Sequence, residues 1–426
     1  MKIIYLLMIL LLTNCNSNEN SVNSESASNP SSTSHSIPPK TNSDTNKVSK
    51  IKFKDVSSGP FTVCGISMDD KILCWGQNLY GSLGREGFEQ YSSSTPEITS
   101  YFKNKVLKPT SLSVGDGHNC FVDGLSNKPY CWGISAKGSS STGLHSSFEP
   151  QEILLNDQSI FAKATSVSSG NDVCSITLDK KLYCWKRGQF YDGELKHPAQ
   201  AVMSEGAPLS NIVQISATGR TKCAVTSEGY AYCWGNGVYP LGTRKKSSQP
   251  LKVLDPQGEQ YLSNVASIST NDGRTICAVT FNGSLYCWGG NHGGQIGNGT
   301  NEGTDFPVRV IGQNRSGFLE NVKQVSVGES VACAVTKDGK AYCWGNNIAW
   351  SLGDGTQLNS FSPKRVKTSS SSYLENVQKI VVGTQHTCAI DIAGDIYCWG
   401  MNSSGQLGQR NVTYTPVPYA TKVEAH

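Results

Sequence analysis

The stretch "CAVTSEGYAYCWGN", residues 223–236, contains two cysteines ten positions apart, a turn between them and a tryptophan directly after the second cysteine. If residues 227–229 form a three-residue loop, Cys223 lies opposite Cys233 in a β-hairpin. Gly229 then supplies the left-handed backbone conformation that the last loop position requires. The stretch therefore predicts a tight hairpin whose two cysteines face each other.

The same motif occurs seven times along the chain. In every copy, two cysteines ten or eleven positions apart are followed by a tryptophan, and successive tryptophans lie 49 to 57 positions apart. This period is typical of β-propellers and related repeat arrays. The tryptophans are Trp75, Trp132, Trp185, Trp234, Trp288, Trp344 and Trp399.

Short runs of alternating polar and apolar residues flank each hairpin, and Gly, Pro and Asn separate them. This pattern predicts β-strands joined by tight turns. Pro250, Pro307 and Pro363 each open the last run of a repeat, which favours a strand at the edge of a sheet because no ladder donor is lost there. No long segment has a helical period, so the predicted fold class is all-β.

If the pair that closes the loop is hydrogen bonded, the cysteine pair falls at a non-hydrogen-bonded site of the hairpin, where opposite Cα atoms lie about 4.5 Å apart. A disulfide can span that distance. The alternative is small buried side chains in a reducing compartment. Zinc sites place paired thiolates two to four positions apart, so we predict no metal site. The predicted disulfides are Cys64–Cys74, Cys120–Cys131, Cys174–Cys184, Cys223–Cys233, Cys277–Cys287, Cys333–Cys343 and Cys388–Cys398.

The N-terminal stretch "MKIIYLLMILLLTNC", residues 1–15, has one early cation and then ten apolar residues, a pattern typical of a secretory signal. Its L-T-N-C ending resembles the lipobox of bacterial lipoproteins. That resemblance implies a signal peptide over residues 1–14 and a lipid on Cys15, the one cysteine outside the pairs. The alternative is an ordinary signal with a coincidental cysteine. Export would place the protein where disulfides persist.

Residues 15–50 consist mainly of Ser, Asn, Thr and Pro. Such a segment cannot bury enough apolar surface to fold, so it predicts a disordered tether between the lipid and a folded head over residues 51–426. The formal net charge is +4 with 16% charged residues. No basic surface typical of a nucleic-acid-binding protein is predicted.

The unit over residues 382–420 contains Gly383 and His386, the turn glycine Gly394, the Trp399–Gly400 pair and the Gly405–Gly408 loop. With these features it resembles a repeat of the regulator-of-chromosome-condensation family. The resemblance implies a seven-bladed β-propeller with four-stranded blades, a closed ring that protects the edges of its sheets. The approximate repeats are 51–107, 108–162, 163–210, 211–262, 263–320, 321–375 and 376–426.

In that fold the repeated tryptophans are predicted to be core residues. His118 and His386, each two positions before a cysteine, are predicted to be hydrogen-bonded structural residues. The third repeat has Lys186 where the other repeats have glycine after the tryptophan.

The resemblance implies no single activity, because propellers of this family serve different functions. No catalytic, phosphate-binding or cofactor motif stands in a fitting context. We therefore predict a membrane-anchored extracytoplasmic protein-binding module, a scaffold or an inhibitor, that is monomeric and needs no cofactor. Its partner would be a cell-envelope or host protein, at the outer membrane or cell surface. The alternative is an extracytoplasmic enzyme or a carbohydrate-binding propeller with a site in the central channel.

The candidate binding residues are those that depart from the repeat pattern in the loops. They are Trp350, the cluster Arg244, Lys245 and Lys246, and the inserted loop 137–148. Tryptophan and arginine are enriched among residues that carry interface energy. The alternatives are that Trp350 packs under its own loop and that the cations are only solvated.

Overall fold

The computed structural model describes most of residues 51–425, and these residues form an all-β, seven-bladed propeller. The predicted signal peptide, Cys15 and the tether lie outside the described residues, as does most of the inserted loop 137–148. The described residues are 51–85, 92–103, 105–134, 146–153, 161, 163–170, 172–186, 190–191, 194–195, 200–271, 274–410 and 415–425.

Each blade is a four-stranded antiparallel sheet whose strands are neighbours in chain order. Blades 1 to 3 comprise Phe53–Ser58, Thr62–Ser67, Ile72–Gln77 and Ser92–Ile98; Pro109–Val114, His118–Asp123, Lys128–Ile134 and Ser146–Glu152; and Ala164–Ser169, Asp172–Thr177, Leu182–Lys186 and Gln200–Ala201. Blades 4 and 5 comprise Ile212–Thr218, Thr221–Thr226, Ala231–Gly235 and Leu251–Lys252; and Val265–Thr270, Thr275–Thr280, Leu285–Gly289 and Thr304–Arg309. Blades 6 and 7 comprise Val322–Val327, Val331–Thr336, Ala341–Gly345 and Ser360–Arg365; and Val377–Val382, His386–Asp391, Ile396–Gly400 and Val417–Lys422.

The remaining elements are short. Blades 3 and 4 have outer strands of only two residues. Among the residues described, the helices are single 3₁₀ turns, and none has the length and hydropathy to span a membrane. The extra elements are the strand pairs Phe190–Tyr191 with Glu194–Leu195 and Met203–Ser204 with Ala207–Pro208, and the 3₁₀ turns Leu79–Gly81, Ser100–Phe102 and Gln313–Arg315.

The alternating strand directions give the propeller two different faces. The first strand of every blade borders the central channel, because the turns that follow these strands line one common cavity. The turns after the first strands and the loops between third and fourth strands lie on one face, which we call the channel face. The hairpin turns between second and third strands and the connections between blades lie on the other, the hairpin face. The fourth strand is the outer edge; Pro307 and Pro363 lie within it, not at its head.

The core consists of seven hydrophobic clusters, one between each pair of neighbouring blades. Each cluster contains the cysteine pair of one blade and the motif tryptophan of the next, because cysteine and tryptophan, adjacent in the strand, point to opposite sides of their sheet. Trp75, Trp132, Trp288, Trp344 and Trp399 are almost fully buried, as expected of core residues. The clusters combine Cys64–Cys74 with Trp132, Cys120–Cys131 with Trp185, Cys174–Cys184 with Trp234, Cys223–Cys233 with Trp288, Cys277–Cys287 with Trp344, Cys333–Cys343 with Trp399 and Cys388–Cys398 with Trp75.

Each cysteine pair is joined as a disulfide across directly opposed positions of the second and third strands. The paired Cα atoms lie 4.1 to 4.2 Å apart, close to the separation of a non-hydrogen-bonded pair. The hairpin glycines Gly229, Gly283, Gly339 and Gly394 have φ between 78° and 88°. The three-residue loop predicted from sequence therefore matches the observed backbone.

Blades 7 and 1 close the ring by packing, not by sharing a sheet. The Phe53 backbone N–H donates to the Gly394 carbonyl at 2.9 Å. Near the two ends of the propeller, Lys52 and Lys422 both bind Asp395, at 2.7 and 2.6 Å. Burial alone would raise the pKa of Asp395, but the hydrogen bonds from the two lysines outweigh burial and hold the pKa below its usual value. The carboxylate thus stays charged and joins the two ends of the head.

Candidate functional site

The loop of residues 346–359, on the channel face of blade 6, carries the candidate Trp350. Trp350 lies six positions after the motif tryptophan, where blades 5 and 7 have Gly294 and Gly405. All three residues have left-handed backbones, with φ of 62°, 84° and 75°. In all three the residue's N–H donates to a carbonyl three positions earlier, at 2.8 to 3.2 Å. A left-handed conformation costs a residue with a side chain about 1–2 kcal/mol. Local folding would therefore favour glycine at position 350.

The backbone around Trp350 is held by its own blade and by blade 7. The Ser351 carbonyl accepts hydrogen bonds from the Trp399 indole N–H at 2.9 Å and from the Thr387 hydroxyl at 3.1 Å. The Ser351 hydroxyl donates to the Gln385 carbonyl at 2.9 Å. These bonds fix the loop, so Trp350 is presented by a preorganised backbone.

Two exposed apolar side chains accompany Trp350. Ile348 is 68% exposed and Leu358 is 74% exposed, whereas Trp350 is half-buried. The Gln357 side-chain amide donates to the Ile348 carbonyl at 2.9 Å, which brings the start and the end of the loop together. We call Ile348, Trp350 and Leu358 the blade-6 patch. Ile348 and Leu358 were not among the sequence candidates, although both are apolar residues of the loop that carries Trp350.

The three candidate cations lie in another blade. Arg244, Lys245 and Lys246 are exposed in the loop before the outer strand of blade 4, with blade 5 between them and the blade-6 patch. The Arg244 guanidinium donates to the Gly258 carbonyl at 2.9 Å. The Lys246 ammonium donates to the Val238 carbonyl at 2.7 Å. The structure therefore does not bring these cations together with Trp350, and two of them bind the backbone of their own blade.

The central channel contains a cavity of about 260 Å³ at the channel face. Its wall is formed by the turns of all seven blades, several of which contain glycine. A Cβ atom on Gly59 would clash with the Gly115 carbonyl, and one on Gly328 would clash with the Gly383 carbonyl. The charged side chains that line the cavity include the ion pair Arg274–Glu329, at 3.1 Å. Across the described residues no group of three His, Cys, Asp or Glu could hold a metal ion.

Beside this cavity, His386 of blade 7 contacts Ser58 of blade 1. The His386 Nε2 and the Ser58 hydroxyl oxygen lie 2.8 Å apart. Burial lowers the pKa of His386 to about 4, so the imidazole is neutral near pH 7 and is a weak general base. Within the part of the chain that the structure describes, its Nδ1 has no hydrogen-bond partner. The pair therefore lacks the third group that orients the imidazole in hydrolytic triads, and it joins two blades.

These features define a seven-bladed β-propeller with a disulfide in every blade and rigid loops on its channel face. Residues 282–335, 338–390 and 393–425 match the family model described as "Regulator of chromosome condensation (RCC1) repeat", and residues 377–406 match a second model with the same description. The matches agree with the family resemblance inferred from the sequence and cover blades 5 to 7.

Known proteins are similar to this chain at low sequence identity. The human E3 ubiquitin-protein ligase HERC2 is 27% identical over 346 residues, which are 79% of this chain but only 7% of HERC2. The ultraviolet-B receptor UVR8 of Arabidopsis thaliana is 27% identical over 361 residues, covering 83% of this chain and 78% of UVR8. The crystal structure of Prp20p from Saccharomyces cerevisiae has a TM-score of 0.65 at 17% identity and covers 88% of this chain and 87% of that one. The likeness to Prp20p establishes the fold alone.

Proposed function

We propose that the protein is an exported, lipid-anchored propeller that binds another protein through the blade-6 patch. The observation that carries the proposal is Trp350 itself. A bulky aromatic residue occupies a left-handed position where blades 5 and 7 have glycine, on a loop that hydrogen bonds to blade 7 hold in place. Strained residues of this kind tend to persist at binding and catalytic sites.

The composition of the patch supports a protein partner. A half-buried tryptophan flanked by exposed Ile348 and Leu358 offers apolar area on a rigid backbone. Aromatic anchors surrounded by apolar contacts carry most of the binding energy in protein interfaces. A rigid loop also loses little conformational entropy on binding.

Relatives of this architecture support binding as the mode of action. The yeast propeller Prp20p is described with binding to Gsp1p and histones. Those partners are not carried over, because the present chain is proposed to lie outside the cytoplasm. The ubiquitin-ligase activity of HERC2 is not carried over either, since the similarity covers 7% of that protein.

Export and anchoring are supported by the N-terminal signal pattern, by Cys15 and by the seven disulfides. Disulfides form and persist in oxidising compartments outside the cytoplasm. Lipid on Cys15 accounts for the one cysteine that the propeller does not use.

The proposal predicts the behaviour of Trp350→Gly. Glycine relieves the left-handed conformation, and this offsets lost packing, so we expect the free energy of unfolding to change by less than about 1 kcal/mol. Capture of the partner should fall at least tenfold. The measurement is chemical crosslinking on intact cells that express the full chain, with quantification of the captured protein by mass spectrometry.

The matched control is Val238→Ser, which removes an exposed apolar residue from the channel face of blade 4 and should leave capture unchanged. A triple variant, Arg244→Ala with Lys245→Ala and Lys246→Ala, tests the blade-4 cations. If the triple variant loses capture while Trp350→Gly retains it, the partner binds blade 4 and the proposal for blade 6 is wrong. If Trp350→Gly unfolds, Trp350 has a structural role.

A further inference from the structure

The hairpin face carries exposed apolar residues at the tips of its turns. In five of the seven blades, the turn between the second and third strands presents such a residue. We call these five residues the hairpin tips. They are Met68, Leu125, Leu178, Phe281 and Ile392, and they are 58%, 60%, 58%, 61% and 72% exposed.

The fold does not require apolar side chains at the tips. Blades 4 and 6 have Ser227 and Lys337 at the same position of the turn. The backbone N–H groups of Ser227, Phe281 and Lys337 make the same hydrogen bond, to a residue just before the first strand of their own blade, at 2.8, 2.9 and 2.7 Å. The backbone therefore has the same role whichever side chain is present. Because turns generally favour polar residues, the apolar tips need another explanation.

The tips form an arc around the face. Blades 7, 1, 2 and 3 are successive and all carry an apolar tip. Two of the tips reach toward the preceding blade: a Cβ on Gly394 of blade 7 would lie 3.2 Å from the Met68 side chain, and one on Gly229 of blade 4 would lie 3.3 Å from the Phe281 ring. The arrangement is a row of separate protruding side chains around the ring, and it fits a flat partner better than a peptide that inserts into a groove.

Exposed lysines and carboxylates lie between and beside the tips, and the turn carboxylates Asp70, Asp179 and Asp338 are each paired with a neighbouring lysine. The lysines that remain outside these pairs are the ones available to a partner. Lys108 and Lys163 are located where the first strands of blades 2 and 3 begin, and Lys180 and Lys337 are located in hairpin turns. Apolar side chains with interspersed lysines are typical of surfaces that bind anionic bilayers: the apolar groups enter the interface, and the ammonium groups meet lipid phosphates.

The path of the chain leads to the same face. The first strand of blade 1 begins at Phe53, and first strands begin on the hairpin face. The described chain therefore enters the propeller on this side, at Ile51.

We propose that the hairpin face lies on the surface of an anionic phospholipid bilayer, with the hairpin tips in the interface. The blade-6 patch, on the opposite face, then points away from the membrane toward its partner. This inference rests on the proposed lipid anchoring and adds a defined orientation to it.

The test places a fluorescent probe on each face of the full lipidated chain. Phe281→Trp puts an indole at a hairpin tip, and Val238→Trp puts one at a comparably exposed site on the channel face, 66% exposed. Both chains are reconstituted on vesicles of phosphatidylglycerol and phosphatidylethanolamine with dibrominated acyl chains. Relative to the unsubstituted chain, we expect the added indole of Phe281→Trp to be quenched at least twofold and its emission to shift to the blue. The added indole of Val238→Trp should show neither change.

Sedimentation of the vesicles in the same samples reports anchoring separately. If the chain sediments but neither added indole is quenched, the tether holds the head away from the bilayer; the orientation is wrong and anchoring stands. Quenching at Val238→Trp alone means the opposite orientation. If lipid leaves the Phe281→Trp spectrum unchanged and a soluble envelope protein shifts it, the tips bind protein. A chain that does not sediment overturns both anchoring and orientation.

A second variant tests the same inference without an introduced tryptophan, in case a tryptophan-substituted chain misfolds. This variant combines four substitutions, Met68→Ser, Leu178→Ser, Phe281→Ser and Ile392→Ser. Each of these turns then carries serine, as blade 4 does at Ser227. In a Cys15→Ser background, which lacks the lipid, we expect this chain to bind the same vesicles without brominated lipid at least tenfold more weakly than Cys15→Ser alone. Equal binding of the two chains would contradict the inference.

Discussion

Replacing Trp344 by alanine is expected to lower the free energy of unfolding by about 4 kcal/mol. Trp344 is fully buried in the cluster that contains the Cys277–Cys287 disulfide of the preceding blade. Its indole N–H also donates to the Gln295 carbonyl at 2.8 Å. Large-to-small substitutions of buried tryptophan typically cost 3–5 kcal/mol because a cavity remains. Urea unfolding followed by circular dichroism measures the loss.

Trp350→Gly, in the same blade, is the matched comparison. It should change stability by less than about 1 kcal/mol, because glycine suits the left-handed backbone. The contrast separates a tryptophan that holds two blades together from one that is presented for binding. A small effect at Trp344 together with a loss above about 3 kcal/mol at Trp350 would reverse the two roles.

Stability is expected to fall by about 3 kcal/mol between pH 6.5 and pH 4 because of His386 alone. Burial lowers the pKa of His386 from 6.5 to about 4 in the folded protein. Above pH 6.5 the imidazole is neutral in both states, so it contributes no pH dependence there. As the pH falls from 6.5 to 4 the unfolded chain binds a proton that the folded chain does not, which costs about 1.4 kcal/mol per pH unit. Below pH 4 both states are protonated and the loss stops growing.

The measurement is the unfolding free energy of the parent chain and of His386→Asn across this pH range. The asparagine variant should be less stable at pH 7, since it loses the contact with Ser58, but its stability should change less between pH 6.5 and pH 4. His292→Gln, at an exposed histidine on the channel face, is the control and should behave like the parent. Parallel curves for the parent and His386→Asn would show that folding does not lower the pKa of His386.

The fold could be predicted from the sequence because one motif repeats at a nearly constant spacing. Opposed cysteines, a left-handed turn residue and a following tryptophan fix the hairpin locally, and seven copies fix the ring. The sequence could not show which disulfide meets which tryptophan. That pairing depends on how neighbouring blades stack, and stacking brings the Cys333–Cys343 disulfide into the same cluster as Trp399, about a repeat away.

The candidate site could be predicted only in part. Trp350 stood out because it departs from the repeat pattern, but its left-handed backbone becomes evident only beside Gly294 and Gly405. The exposure of Ile348 and Leu358 depends on the path of the loop, which residue types do not determine. Likewise, nothing in the sequence distinguishes the hairpin tips from other apolar residues. They lie on one face because every blade has the same strand order and the blades stack side by side around the ring.

The cysteines and the N-terminus provide the most direct test of the central claim, an exported propeller with a disulfide in every blade. The test is the intact mass of the protein purified from the cell envelope, measured with and without reductant. We expect the mass of residues 15–426 plus a lipid group, and an increase by fourteen hydrogens on reduction, two for each of the seven bridges. A full chain of 426 residues without lipid, whose mass reductant does not change, would contradict the claim.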